Sequence, residues 1–405
     1  MTRPRAVPIG LAALLAALSI LSPFSIDTFF PAFRAMQAEF RIDALTIQQT
    51  LTAYLLPYAL MSLVHGPLSD AFGRRPVVLW GLALYALASL ACAFAPGFAA
   101  LLAFRAVQGM TAGAGMTVGR AVVRDLYDGP EAQRLMNAVT MFFSVAPALA
   151  PVVGGILFVA FGWRSVFVLL AVLGVAVGLA CLWLLPETHP PARRVAFNVR
   201  SLALTAWSIA RHREFLMLAV AGGVNFAVVL MYVGSAPAIV LDRWGLSETQ
   251  FAALFVPIIG GFLLGAIISS RMAGRFAPAR QALLGFVLSL VGSAATVSLN
   301  LLITQAPLLL QQILLTITTL GVQFVVPVLT IRMLDLFPDV RGSAASVQSF
   351  ASLLLASAAI GVVAPLLQGS LVALGVASML AAVTSLALWW SVRSPAQVVV
   401  TVPRT

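Results

Sequence analysis

GPLSDAFGRRPV, residues 66–77, lies where two long apolar runs meet, one at 46–67 and the other at 77–95. Each run is long enough to cross about 30 Å of hydrocarbon at about 1.5 Å per residue. Runs joined by so short a polar stretch must lie antiparallel, as neighbours. Gly66 and Gly73 allow the chain to reverse tightly between them. Asp70 and Arg74 bring opposite charges that can bond across the helix ends and favour one closed arrangement of that face. An ordinary charged membrane turn is the plainer alternative.

The same alternation of apolar run and short polar turn continues along all 405 residues, of which 61% are hydrophobic and 9% charged. Soluble domains carry about 25% charged residues. We place twelve spans at 9–33, 46–67, 77–95, 98–118, 135–160, 165–185, 215–240, 249–270, 281–303, 307–331, 342–367 and 370–392. This is an all-α membrane protein with a six-helix half at 1–185, a basic linker at 186–213 and a second half at 214–405 that ends in a short tail. The run 9–33 is too long for a signal-peptide core and is read as a retained span. Cys92 and Cys181 fall inside spans and serve as small packing residues.

The net charge of +11 comes entirely from arginine, for the chain has no lysine. Its placement speaks for membrane topology and against nucleic acid. Loops on the N-terminal side hold 19 arginines, the opposite side four (Arg34, Arg41, Arg164, Arg243), and Arg105 lies within a span. By the positive-inside bias both termini are cytoplasmic. Anionic lipid headgroups are a secondary partner. The linker, with five arginines and an amphipathic stretch at 202–209, reads as a solvated tether on the membrane surface. Gly73-Arg74 and Gly274-Arg275 stand at matched places in the two halves, a faint internal repeat of the kind many transporters show.

With glycine, aspartate, glycine and arginine at Gly66, Asp70, Gly73 and Arg74, the opening stretch resembles the signature loop of the major facilitator superfamily, with Ala71 and Pro76 as departures. LSPFSIDTFFPAF in the first span, RAVQG at 105–109, RAVVRDLYD at 120–128, FGWRSVF at 161–167 and LFPDVRGSAASV at 336–347 resemble its bicyclomycin/chloramphenicol-resistance branch. APALAPVVGGIL in the fifth span resembles the motif of drug–proton antiporters, with Ala146 where a glycine often stands. Pro147, Pro151, Gly154 and Gly155 would there form a face that a neighbouring helix can approach and bend. The resemblance implies a proton-driven exporter of small antibiotics or drug-like metabolites. Such a protein is a monomer in the bacterial inner membrane, needs no cofactor beyond the proton gradient, and is no enzyme. A dedicated metabolite exporter or a proton symporter on the same fold is the alternative.

Asp27 is the acidic residue set deep in an apolar span, where ionisable groups are expensive and functional by default. Counting inward from Phe33 and Phe98, Asp27 and Arg105 share a depth of about 10 Å. The pair is expected to meet and to carry proton coupling, a fixed structural ion pair being the alternative. For the drug pocket the candidates are Tyr54 and Tyr58, one turn apart, with Asn225, Tyr232 and Gln323 in the second half. Tyrosines also sit at membrane interfaces, and amides also tie helices together. His65 is expected at the headgroups. No HExxH, paired intramembrane metal ligands or filter-like repeat is present, so enzyme and channel readings find no support.

Overall fold

The structure is a computed structural model and describes residues 9–127, 129–272, 275–303, 305–367 and 369–392; the Gly274 of the suggested repeat and the expected C-terminal tail lie outside them. The first half runs through α1 (Ile9–Asp27), α2 (Phe33–Phe40), α3 (Ala44–Phe72), α4 (Arg74–Ala93), α5 (Phe98–Leu126), α6 (Gly129–Phe161) and α7 (Arg164–Leu184). A short helix, α8 (Val199–Ala210), precedes the second half. That half comprises α9 (Arg213–Gly234), α10 (Ala252–Met272), α11 (Pro278–Leu302), α12 (Leu308–Asp335), α13 (Arg341–Ala358), α14 (Ala364–Leu367) and α15 (Leu371–Ser391).

Eleven stretches of described helix are long and apolar enough to cross a membrane. α5 completes the twelve: it has 29 residues, but Arg105, Gln108 and a run of glycines lower its hydropathy. It tolerates them because it packs between α3 and α4 with those residues turned inward. The bundle's outer surface is apolar, with Trp80, Leu87, Ile156, Val172 and Leu380 exposed. In water such a surface would aggregate; against lipid tails it is matched.

Several boundaries differ from the sequence reading, each for a local reason. The first span does not end at Phe33. It breaks after Asp27, makes one turn of 3₁₀ helix over Phe30–Ala32 around Pro31, and continues as α2 to Phe40. α3 and α4 are separated by Gly73 alone, so the expected loop from Gly66 is helical up to Phe72. Unlike the first break, the turns at Ala238–Arg243 and Ala359–Val363 widen into π geometry where the second half meets the first.

Polar contacts join the two halves at the end of the bundle that holds α2, while further along α3 Leu63 packs on the second half's apolar cluster. At the α2 end Arg34 forms an ion pair with Asp242. Gln48 donates Nε2 to the Gly234 carbonyl at 2.7 Å, and Gln49 donates to the Gly361 carbonyl at 3.4 Å. Phe30 and Phe255 bring their rings within 6.2 Å across the seam. A cleft of about 370 Å³ lined by Arg34, Gln48, Asp242 and Arg243 remains at this closed end.

Candidate functional site

Arg105 is fully buried and organises the centre of the first half. Its Nε donates to the Thr50 carbonyl at 3.2 Å and its Nη1 to the Ser25 carbonyl at 2.9 Å, so one side chain fastens α5 to α3 and α1. Nη1 also donates to Gln108 Oε1 at 2.5 Å; Gln108 Nε2 then donates to the Ser89 hydroxyl at 2.7 Å, and Ser89 to the Tyr85 carbonyl at 2.7 Å. The Tyr85 and Ser25 hydroxyls share a 2.6 Å hydrogen bond, which returns the network to α1. The guanidinium lies 4.6 Å from the Phe29 ring centroid and 4.5 Å from that of Tyr54. Charge buried without a carboxylate is thus spread over carbonyl dipoles and the π faces of Phe29, Tyr54 and, at 6.0 Å, Phe167, each of which favours a cation. Nη2 keeps no hydrogen-bond partner among the described residues.

Asp27 is buried, but it does not pair with Arg105: among the described residues no ion pair joins them. The shared depth holds, since Arg105 reaches the carbonyl of Ser25. The side does not. Ser25, whose hydroxyl meets Tyr85, and Asp27 are two residues apart and so about 200° apart around the helix. Depth can be counted along a sequence; rotation relative to a third helix cannot.

Beside Asp27, α6 presses against the first span. A Cβ on Gly154 would collide with the Thr28 carbonyl, and one on Gly155 with the Glu248 carbonyl of the second half. The two glycines therefore serve different neighbours, one within the half and one across the seam. Pro147 and Pro151 lie in the preceding turns of the same helix. The proline–glycine pattern places a closely packed, bendable stretch of helix at the junction of Asp27's span with the second half.

At the other end Arg74 is buried, its Nη1 donating to the Ser69 hydroxyl at 2.6 Å and to Asp70 Oδ1 at 2.5 Å. The expected Asp70–Arg74 bond is therefore made. Sequence reading missed Asp125 and Glu187. Arg74 Nε donates to Asp125 Oδ2 at 3.1 Å, and the same oxygen accepts from the Thr188 hydroxyl at 2.6 Å. Glu187 accepts the backbone N–H groups of Arg74 at 3.1 Å and Arg75 at 3.3 Å, capping the first turn of α4. The available signals were the acidic residues within RDLYD and PETH. Gly73 has φ +101°, which favours glycine, and a Cβ there would lie 2.5 Å from Glu187 Oε2, so any other residue would also displace that carboxylate. Gly66 has nothing within 4 Å of an added Cβ.

The drug-pocket candidates make separate contacts. Tyr54 and Tyr58 stack with centroids 6.0 Å apart, and Tyr54 also covers Arg105. Asn225 donates to the Val322 carbonyl of α12 at 3.1 Å, an interhelical tie. Tyr232 sits beside Thr296 of α11 and Ser378 of α15. Gln323 packs over Gly265 of α10. The three second-half residues thus face three different neighbours. His65 is buried against Gly113 rather than set at the headgroups.

Residues 15–362 match the sequence model of the Major Facilitator Superfamily. The chain is 34% identical over 264 residues to the uncharacterized MFS-type transporter YdgK of Bacillus subtilis, covering 64% of this chain and 66% of that one. It is 26% identical over 257 residues to the bicyclomycin resistance protein homolog of Haemophilus influenzae, covering 64% and 65%. With multidrug resistance protein D of Escherichia coli it shares 29% identity over 271 residues, covering 66% and 67%. The match to the first two spans just under two thirds of their length. Eleven helices long and apolar enough to cross a membrane with α5 packed among them, a charged turn between α3 and α4, and a family match over residues 15–362 make this chain a member of the Major Facilitator Superfamily.

Proposed function

We propose that the protein is a proton-coupled antiporter that exports small drug-like molecules across the bacterial inner membrane by alternating access. The halves at 1–185 and 214–405 would rock about the centre, with both termini and the linker at 186–213 in the cytoplasm. The observation that carries the reading is asymmetry between the two ends. Polar bridges tie the halves together at the α2 end, whereas the gate turn at the other end bonds to Asp125 and Glu187 of its own side. This is what a conformation closed to the periplasm and open to the cytoplasm requires.

Asp27 is the proton carrier in this reading. It is a buried carboxyl with no ion-pair partner among the described residues, next to the Thr28–Gly154 contact through which movement of α6 reaches the first span. Arg105 holds α1, α3 and α5 in fixed relation, so that proton exchange at Asp27 shifts the first half as one body. The names of the Haemophilus and Escherichia relatives support small antibiotics as the substrate class.

The test is drug-induced proton movement in everted membrane vesicles over a panel of antibiotics. Proton release from the vesicle lumen on drug addition is the expected result. Proton movement in the direction of the drug would establish symport instead and refute export. Reporter fusions after residue 200 that read as periplasmic would overturn the orientation.

A further inference from the structure

The segment between α7 and α9 is exposed over most of its length, as expected of a solvated linker, but it is not a free tether. Its first part is fixed to the first half. Glu187 caps α4, Thr188 donates to Asp125, and the Val195 N–H donates to the Asp70 carbonyl at 3.3 Å. Arg194 brings Nη2 within 2.7 Å of where a Cβ on Gly73 would stand. Its second part is fixed to the other half. α8 begins at Asn198, whose Oδ1 accepts the Ser201 N–H at 3.0 Å, and it packs on α9 and α13. Ile209 is buried there in an apolar cluster with Phe215, Leu218, Ala344 and Val347.

Only Ala196 and Phe197 lie between the last tie to the first half and the cap of α8. The backbone is extended at both ends of this stretch, with φ −69°, ψ 138° at Arg194 and φ −126°, ψ 102° at Asn198. Three virtual bonds, from Val195 to Asn198, reach at most about 10 Å, and two flanking extended residues leave little slack. Free of its ties, the chain from the end of α7 to Asn198 could reach about 46 Å.

We propose that the linker is a strap docked on the gate turn, with Glu187 as the positioning residue that seats it, and that its short free segment limits how far the two halves separate at the gate-turn end. Each half carries its own section of the strap, and the two-residue hinge takes up their relative motion. Because Glu187 and Val195 bind the same turn that presents Asp70 and Arg74, widening that end beyond the limit requires undocking the strap from the turn. The proposal rests on the rocking of the halves proposed above, but not on the substrate or on protons.

The experiment measures spin-label distances between Gln133 and Gly342, exposed positions on opposite halves, in full-length protein in nanodiscs. Both positions are replaced by cysteine, and Cys92 and Cys181 by alanine. Two variants act on different parts of the strap. Glu187→Ala undocks it; six Gly/Ser residues inserted between Ala196 and Phe197 lengthen the free segment while Glu187 stays seated. Both should shift the distribution to longer distances and broaden it, and Glu187→Asp should restore most of the parent distribution. An unchanged distribution in the insertion variant overturns the strap. A shift with Glu187→Ala alone does so too, since Glu187 would then act only on α4. The readout needs no drug, so failure of export leaves it standing, and failure of the strap leaves export standing.

Discussion

Gly154→Ala adds one methyl group to α6 at the point where the first span passes closest. The new Cβ would overlap the carbonyl oxygen of Thr28, with the carbonyl carbon 2.6 Å and the Thr28 methyl 3.0 Å away. A carbonyl in the backbone cannot rotate aside as a side-chain tip can, so α6 and the first span must move apart. Overpacking of this kind costs about 1–3 kcal/mol. Alanine returns about 0.5–1 kcal/mol through its higher helix propensity. With both the backbone and the branched side chain of Thr28 in the way, the upper end of the range applies, leaving a net loss of about 2 kcal/mol. Gly66→Ala is the matched control. Gly66 is also within a helix, but an added Cβ meets nothing within 4 Å, so only the propensity gain of about 0.5–1 kcal/mol remains. Thermal unfolding of the two purified variants in detergent, followed by fluorescence or circular dichroism, should place Gly154→Ala below the parent and Gly66→Ala at or above it. Equal stability, or the reverse order, would refute the argument from close approach. Normal drug efflux in Gly154→Ala would in addition show that the contact next to Asp27 has no part in transport.

Asp27→Asn should abolish drug-driven proton movement while leaving neutral drugs able to bind, as measured by proton flux and drug binding in one preparation; undiminished flux would place the carrier elsewhere. Arg105→Ala removes the donor to Thr50, Ser25 and Gln108 at once, leaving buried acceptors that cost about 1–3 kcal/mol each when unpaired, so transport and stability should both fall. Arg105→Lys should fail to restore efflux, because a single ammonium cannot reproduce a planar fork that spans two helices and two rings; full efflux with lysine would reduce the site to a point charge. Asp70→Asn and Arg74→Ala should impair efflux with membrane insertion intact, scored by transport against immunodetected protein, and normal efflux in both would make the gate turn a plain connector.

The sequence by itself determined the solvent of this protein and the way its spans are joined, because these follow from running composition. Twenty apolar residues cross a bilayer wherever they occur, and arginine counts bias orientation without reference to neighbours. The Asp70–Arg74 bond was legible because the two opposite charges flank a break of a single residue, Gly73, and so stay within reach of each other. Depth was legible too, and so Arg105 does lie level with the first span's Ser25. What only the tertiary structure decided is which way each helix is turned and what comes to meet it. A rotation of about 200° between Ser25 and Asp27 separates the arginine network from the carboxyl expected to join it. Gly154 and Gly155, adjacent in sequence, address different halves of the molecule. Glu187 caps a helix that begins 113 residues before it, a contact no local pattern encodes. Local sequence fixes periodicity and length; rotation and partnership come from packing one helix against several others at once, and only the folded chain satisfies those constraints together.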